Sequence, residues 1–275
     1  MTNPRRNVPF WRRLNPAAEF DIVGLLPSSL QKAERFETEA DVDIESIRSE
    51  RVLVGQRPRT EFAVYLSECR EGHYSCERTY CPRCARAFRR HLIGELLRLS
   101  SKFNGGIKIS TVLLATVTKG ELGTLEIARH GHALRKRFVR AGLGDAAVIG
   151  GFEVSYRARE KIWVLHINLA IFGGDPDALA AFEAACSDTG LYRPVETVEL
   201  MDAAEQLSYL LKFTTYHRPF QQTGPEKSPA VPLNPSEHYE LLSWMAQHEF
   251  TDHLFLFNAR RYGPTIKLTE NRRKA

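Results

Sequence analysis

The segment WVLHINLAIF, residues 163–172, decides the fold class of this chain. It is apolar apart from His166 and Asn168, which stand two residues apart. Successive side chains of a strand point to opposite faces, so we expect these two residues to lie side by side on one face. The preceding segment AVIGGFEVSYR, residues 147–157, has strand character too. A short polar stretch joins the two segments and predicts an antiparallel hairpin.

Strand and helix patterns alternate on both sides of this hairpin. GIKISTVLLATVTKG predicts a strand, and the basic segment that follows predicts a helix closed by Gly142. DPDALAAFEAACSDTG predicts a helix with Asp175 as N-cap and Gly190 beyond its end. RPVETVELMD predicts a strand, and AAEQLSYLLKFTTY, residues 203–216, a helix. The order β-α-β-β-α-β-α indicates an α+β fold of the split βαβ (ferredoxin-like or RRM-like) type, an antiparallel sheet with helices on one face.

Composition divides the chain into four parts. Residues 1–60 are predicted to be a loosely ordered N-terminal arm, because they are charged and lack hydrophobic periodicity. Residues 61–104 hold a cysteine cluster and an amphipathic helix with basic edges. Residues 105–220 contain the predicted sheet domain, and residues 221–275 a Pro-rich linker followed by a C-terminal helical extension.

Overall charge and hydropathy narrow the classes of partner. The chain has 275 residues, 43% of them hydrophobic, and a formal net charge of +5, which shifts the expected partners toward a polyanion. No apolar run approaches the length of a membrane-spanning helix, and the N-terminus lacks the pattern of a secretory signal. We therefore expect a cytoplasmic protein with no membrane partner.

Four of the five cysteines fall within the segment CREGHYSCERTYCPRC. They are Cys69, Cys76, Cys81 and Cys84. The C-x6-C-x4-C-x2-C spacing predicts a zinc knuckle, since two thiolates of one tight turn can occupy two corners of a tetrahedron. His73 is a substitute ligand, and a group of free cytosolic thiols is the alternative. Cys186, alone among alanines, is interpreted as a small core residue.

Five residues are candidates for phosphate chemistry. Glu153 lies on the strand that pairs with the His166 strand, so in one of the two possible registers its carboxylate joins His166 and Asn168 in a mixed nitrogen and oxygen site suited to Mg²⁺ or Mn²⁺. Tyr209 and Lys212, three residues apart, share one face of the predicted helix and offer a nucleophilic hydroxyl and a cation. Each also has a structural interpretation: a hydrogen-bonded core histidine and asparagine, a packed tyrosine and a surface lysine.

The order of these motifs resembles that of the rolling-circle replication initiators of plasmids and phages, in the HUH endonuclease superfamily. The resemblance covers roughly residues 69–220, with a weaker echo at NARRYG, residues 258–263. In that family a cysteine cluster precedes the nuclease palm, a Thr-rich strand follows (here LLATVT), and a later helix carries Tyr-x-x-Lys (here Tyr209 to Lys212). The metal strand of the family carries two histidines, whereas this chain has Asn168 in the second position.

The resemblance implies that Tyr209 attacks a phosphate of single-stranded or hairpin origin DNA, leaving a 5′-phosphotyrosine and a 3′-hydroxyl that primes a host polymerase. A divalent ion on Glu153, His166 and Asn168 would polarise the phosphate, and Lys212 would stabilise charge near the phenolate. Host replication proteins would be further partners. DNA would be steered by two basic helices through Arg86, Arg89, Arg90, Arg135, Lys136 and Arg137.

Two alternatives to a replication initiator stay open. Asn168 in place of a histidine fits a relative that binds DNA but cleaves it poorly or not at all. A rolling-circle transposase or relaxase would share the same chemistry. Tyr216 is a second candidate nucleophile, although packing or a DNA contact is the preferred interpretation. Single-stranded RNA binding in the manner of an RRM is disfavoured, because TVLLATVT lacks the aromatic residues on which bases would stack.

Overall fold

The computed structural model describes residues 39–55, 60–73, 75–187, 194–213, 215–217, 230–263 and 265–269. The helices in these ranges are α1 Glu39–Val54, α2 Thr60–Arg70, α3 Pro82–Ser100, α4 Ile127–Arg140, α5 Pro176–Ser187, α6 Ala203–Leu207 and α7 Pro235–Met245. The strands are β1 Ile107–Thr118, β2 Ala147–Arg157, β3 Ile162–Phe172, β4 Val195–Glu199, β5 Tyr216–His217, β6 Val231–Pro232, β7 Leu254–Phe257, β8 Ala259–Tyr262 and β9 Thr265–Leu268.

The central sheet has five strands in the order β4-β1-β3-β2-β7, and every neighbouring pair is antiparallel. The predicted α+β fold with an antiparallel sheet is confirmed, and the order of the first four strands is that of the split βαβ layout. β2 and β3 pair along their whole length, as the hairpin prediction requires. β7, from the C-terminal extension, adds a fifth strand at the edge of β2.

Local sequence explains how the two helices of the split βαβ unit begin and end. The Asp175 carboxylate accepts hydrogen bonds from the backbone N–H groups of Asp177 and Ala178, so Asp175 is the N-cap of α5 as predicted. Gly142 follows α4 with a φ of 87°, a left-handed conformation that glycine adopts without a steric penalty. Gly190 lies outside the described residues.

The two faces of the sheet are covered by different elements. On one face, Phe138 of α4 stacks on Phe182 of α5 with ring centroids 4.3 Å apart, and α4 passes close to Phe152 of β2 at Gly131. Glu153 follows Phe152 on the strand and therefore points to the opposite face. There the segment after α6 approaches the sheet, and α6 itself packs on α3. The candidate site and the basic helix α4 thus lie on opposite faces.

Nearly all buried apolar side chains form one contiguous cluster, from Leu53 in α1 to Ile266 in β9. The prediction of a loosely ordered arm over residues 1–60 is wrong for residues 39–54, which form α1; residues 1–38 lie outside the described part. Helix α1 packs on α2, α3 and α7 and buries Leu53 and Ser49 completely. This burial required distant partners, which the periodicity of the segment alone does not reveal. None of the helices in the described ranges is both long and apolar enough to cross a bilayer.

The helix predicted over residues 203–216 ends at Leu207 and gives way to a turn, which corrects the sequence prediction. In a continued helix the Ser208 carbonyl would accept from the N–H four residues later. Here the guanidinium of Arg89, on α3, donates to that carbonyl instead. The Ser208 hydroxyl also donates back to the Glu205 carbonyl, and Leu211 adopts a left-handed φ of 57°. These contacts end the helix before Tyr209.

Candidate active site and metal centre

The β2–β3 hairpin brings three of the predicted side chains together on one face. Glu153 is directly opposite His166, and its Oε2 lies 3.7 Å from His166 Nε2. Asn168 follows two residues later on the same face, and its Nδ2 donates to Glu153 Oε1 at 3.0 Å. The Glu153 side chain is 4% exposed and that of His166 14% exposed, so a carboxylate and an imidazole meet where little water reaches them.

A fourth polar side chain on this face, Thr111, was missed by the sequence analysis. Thr111 is opposite Asn168 on β1, and its hydroxyl donates to Asn168 Oδ1 at 2.7 Å. β1 bulges between Leu113 and Ala115, beside the position of His166. Thr111 lies in a run of alternating residues that predicts a strand, but the register of β1 against β3 cannot be read from that run. Bulges of this kind re-aim side chains next to functional sites.

The turn after α6 lies directly over this face. The Tyr209 backbone carbonyl is 3.4 Å from Asn168 Nδ2. Gly151, opposite Asn168 on β2, has the Leu211 side chain so close that a Cβ at residue 151 would lie within 3.0 Å of it. Arg89 holds the start of the turn through the Ser208 carbonyl. The close approach therefore depends on a glycine in the sheet and an arginine from α3.

Tyr209 and Lys212 meet, although they do not share a helix face. The Lys212 Nζ lies 3.8 Å from the centroid of the Tyr209 ring, a cation–π distance. Tyr209 is 42% exposed, so the residue is not enclosed in the hydrophobic interior. Lys212 and Glu153 also line one small cleft, whose other walls include Phe213 and Trp244. The site thus combines an accessible phenol, a cation and a carboxylate–imidazole pair.

Tyr216 has a different environment. It lies in β5 and is partly buried, with the guanidinium carbon of Arg48 4.5 Å from its ring centroid. The same arginine bonds to the carbonyl of Thr215 at 2.9 Å. This packing agrees with the structural interpretation of Tyr216 that the sequence favoured.

The four clustered cysteines converge at the junction of α2 and α3. Cys69 is near the end of α2, Cys81 is the N-cap of α3, and Cys84 lies in its first turn, while Cys76 comes from the connecting loop. All four thiols are free of disulfides, and in the described ranges they are the one group of three or more His, Cys, Asp or Glu side chains close enough to share an ion. His73 is not among them; its side chain is 64% exposed beside Glu71.

The sulfur separations fit a tetrahedral metal. Cys69 Sγ is 3.6 Å from Cys81 Sγ and 3.7 Å from Cys84 Sγ, and Cys76 Sγ is 3.8 Å from Cys84 Sγ. Four thiolates at the usual Zn–S distance around a tetrahedral ion would be about 3.8 Å apart. Hydrogen bonds from Cys76, Cys81 and Cys84 hold the pKa of Cys69 far below its ordinary value, and the same bonds raise the pKa of Cys76 and of Cys81, so the negative charge is favoured at Cys69. This cluster can hold a metal such as Zn²⁺.

The basic residues predicted to contact DNA have unequal exposure. Arg89 and Arg90 are 2% and 8% exposed, which corrects the expectation that they form a basic outer edge of α3. Arg89 is buried because its guanidinium holds the Ser208 carbonyl, and Arg86 is only partly exposed. On α4, by contrast, Arg135 and Lys136 are exposed, and Arg137 is partly exposed. The basic surface of α4 faces away from Tyr209, across the sheet.

A scan against protein-family models and searches of curated proteins and of solved structures each found no match.

Proposed function

We propose that this chain is a metal-dependent DNA endonuclease and strand transferase of the HUH type, which initiates rolling-circle replication by nicking single-stranded origin DNA through Tyr209. One observation carries the proposal. The turn that bears Tyr209 and Lys212 lies over the sheet face that bears Glu153, His166 and Asn168, with the Tyr209 carbonyl 3.4 Å from the Asn168 amide. A nucleophile, a cation and metal-type ligands are thereby combined, as phosphodiester cleavage requires.

The donor set suits a hard divalent ion. Two ligands at about 2.1 Å from an octahedral ion are roughly 3.0 Å apart when adjacent and 4.2 Å apart when opposite. The 3.7 Å between Glu153 Oε2 and His166 Nε2 lies between these two values, so as adjacent ligands the two atoms would have to approach each other by roughly 0.7 Å when an ion binds. Asn168 would coordinate through Oδ1, which requires its amide to turn over, and the Thr111 hydroxyl would then accept from Nδ2. A bound Mg²⁺ or Mn²⁺ would polarise a phosphoryl oxygen.

Tyr209 and Lys212 then have defined roles in the cleavage reaction. The Tyr209 oxygen attacks phosphorus and loses its proton to solvent. The bond from phosphorus to the 3′-oxygen breaks, and that oxygen takes up a proton. The products are a 5′-phosphotyrosine and a free 3′-hydroxyl. Lys212 Nζ, 3.8 Å from the phenol ring, stabilises the negative charge that develops on the attacking oxygen. Tyr209 is 42% exposed as a whole residue, so an incoming strand can reach it.

A covalent adduct tests the proposal. The purified chain would be incubated with Mn²⁺ and a random-sequence library of 3′-labelled single-stranded DNA, because the protein stays attached to the labelled downstream fragment. We expect a labelled protein band that resists SDS, is abolished by Tyr209→Phe and persists in the matched control Tyr216→Phe. An adduct that survives Tyr209→Phe and disappears with Tyr216→Phe would move the nucleophile and refute the assigned role.

A second function, DNA binding without cleavage, is favoured by one specific contact set. Thr111, Asn168 and Glu153 already form a continuous hydrogen-bond chain that needs no ion. Electron paramagnetic resonance of added Mn²⁺ separates the two functions. The nuclease proposal expects bound Mn²⁺ that Glu153→Gln releases. Retention of DNA by a chain that binds no Mn²⁺ and forms no adduct would establish the binding-only function.

A further inference from the structure

The β8–β9 hairpin near the C-terminus presents an unusual set of side chains on one face. Arg260 pairs with Lys267 and Tyr262 with Thr265, so these four residues point to the same side. Arg260, Tyr262 and Lys267 are exposed, Tyr262 to 50%, and Lys267 Nζ is 5.1 Å from the Tyr262 ring centroid. Ile266, on the other side, is buried and fixes which side faces outward. We call Arg260, Tyr262 and Lys267 the hairpin face.

Two cations directly opposite each other on an antiparallel pair destabilise it. Arg260 and Lys267 are such a pair, and the described hairpin residues, 259–263 and 265–268, include no acidic side chain that could offset them. A bound polyanion would remove this repulsion. An exposed aromatic ring beside these two cations, that of Tyr262, adds a flat surface on which a base can stack.

The hairpin is held rigidly against α3. Arg98 Nη2 donates to the Ile266 carbonyl at 2.7 Å, and Glu95 Oε2 accepts from the Ile266 N–H at 2.8 Å. Arg89, on the same helix, holds the turn that carries Tyr209. Arg89 and Arg98 are nine residues apart, about 13 Å along a helix axis. One rigid helix therefore supports both the hairpin and the candidate active site.

We propose that the hairpin face is a second binding site for single-stranded nucleic acid, in which Tyr262 stacks on a base while Arg260 and Lys267 neutralise flanking phosphates. The identity of that strand as DNA rests on the proposed function. The hairpin would hold the strand beside α3, the helix that also supports the turn bearing Tyr209.

Fluorescence anisotropy with a labelled oligo-dT tests this inference, in the Tyr209→Phe background so that binding is measured without cleavage. Stacking energies predict that Tyr262→Ala weakens binding about 5- to 150-fold and that Tyr262→Phe leaves it unchanged. The double variant R260Q/K267Q should lower the slope of log K against log salt by about 1.4, since two phosphate contacts are lost. As a matched control, R261Q removes one charge from the other side of the hairpin and should change binding less than R260Q does.

A stability measurement keeps a misfolded variant from being mistaken for a loss of binding. Arg260→Glu places opposite charges across the hairpin, so it should raise the melting temperature while weakening oligo-dT binding. Equal affinities for Tyr262→Ala and Tyr262→Phe would overturn the inference, as would equal losses from R260Q and R261Q. Failure of the proposed function would give a different result. No adduct would form even with Tyr209 intact, while the hairpin variants would still lose affinity for oligo-dT.

Discussion

Gly151→Ala is the sharpest perturbation of the candidate active site. Gly151 lies on β2 opposite Asn168, beneath Leu211 of the Tyr209 turn. A Cβ at residue 151 would fall within 3.0 Å of two Leu211 side-chain carbons and 3.3 Å from the Leu211 nitrogen. Non-bonded carbon atoms normally approach to about 3.5–4.0 Å. The turn must therefore move away from the sheet by roughly 1 Å.

The size of the effect follows from this displacement. Overpacking of a buried position costs about 1–3 kcal/mol of folding free energy. A displacement of about 1 Å between a nucleophile and its supporting groups can lower a rate by about 100-fold. Gly151→Ala should therefore slow the formation of the Tyr209 adduct far more than its loss of stability explains, because the protein remains folded while the turn is displaced.

A double-mutant cycle with Leu211→Ala isolates the contact. Leu211 is fully buried, so Leu211→Ala alone should cost about 2–5 kcal/mol. In G151A/L211A the clashing carbons are absent, and the combined cost should be smaller than the sum by at least 1 kcal/mol. Urea unfolding of the four proteins measures this coupling. Costs that add within about 0.5 kcal/mol would refute the close approach of the turn to the sheet.

Two further predictions concern metal content and pH. The purified chain should contain one zinc ion, measured by atomic absorption. Cys81→Ser should lose the ion and melt at a lower temperature. The matched variant Cys186→Ala should retain the ion. Burial lowers the pKa of His238 to about 3 and that of His253 to about 4, both below the ordinary 6.5. The unfolded chain then binds more protons than the folded chain between pH 6.5 and 4, so the free energy of unfolding should fall on acidification by up to about 2.7 kcal/mol per pH unit. Urea unfolding at several pH values should show about half that slope for His238→Gln; a slope equal to wild type would contradict the burial of a neutral imidazole.

Short-range patterns predicted the central hairpin of the sheet, because the two strands of a hairpin are neighbours in sequence. The His166 and Asn168 strand, its partner and the N-cap Asp175 could all be assigned from neighbouring residues. Placing Glu153 on the same face as His166 depended on the register of the hairpin, which the sequence left open and the pairing of Glu153 with His166 fixes. The cysteine spacing identified all four thiols that converge, because Cys81 and Cys84 come from one short turn and the other two are close by in sequence.

Long-range contacts could not be predicted in the same way. The periodicity of α3 suggests a single apolar stripe, with Arg89 and Arg90 at its edges. Arg89 is nevertheless buried, because its partner is the Ser208 carbonyl 119 residues further along the chain. That same contact ends α6 early and produces the turn that bears Tyr209. One tertiary hydrogen bond therefore accounts for two departures from the sequence prediction.

Asn168 links the sheet to the Tyr209 turn in a way that a second histidine could not. Its NH₂ group has two protons, and Nδ2 lies 3.0 Å from Glu153 Oε1 and 3.4 Å from the Tyr209 carbonyl. An imidazole nitrogen carries at most one proton and can donate to only one of these oxygens. If the amide turns over so that Oδ1 faces an ion, both donor contacts are lost. Coordination by Asn168 and its hydrogen bond to the Tyr209 carbonyl therefore exclude each other, so with an ion bound through this residue the turn would be held by Arg89 and by the packing of Leu211 on Gly151.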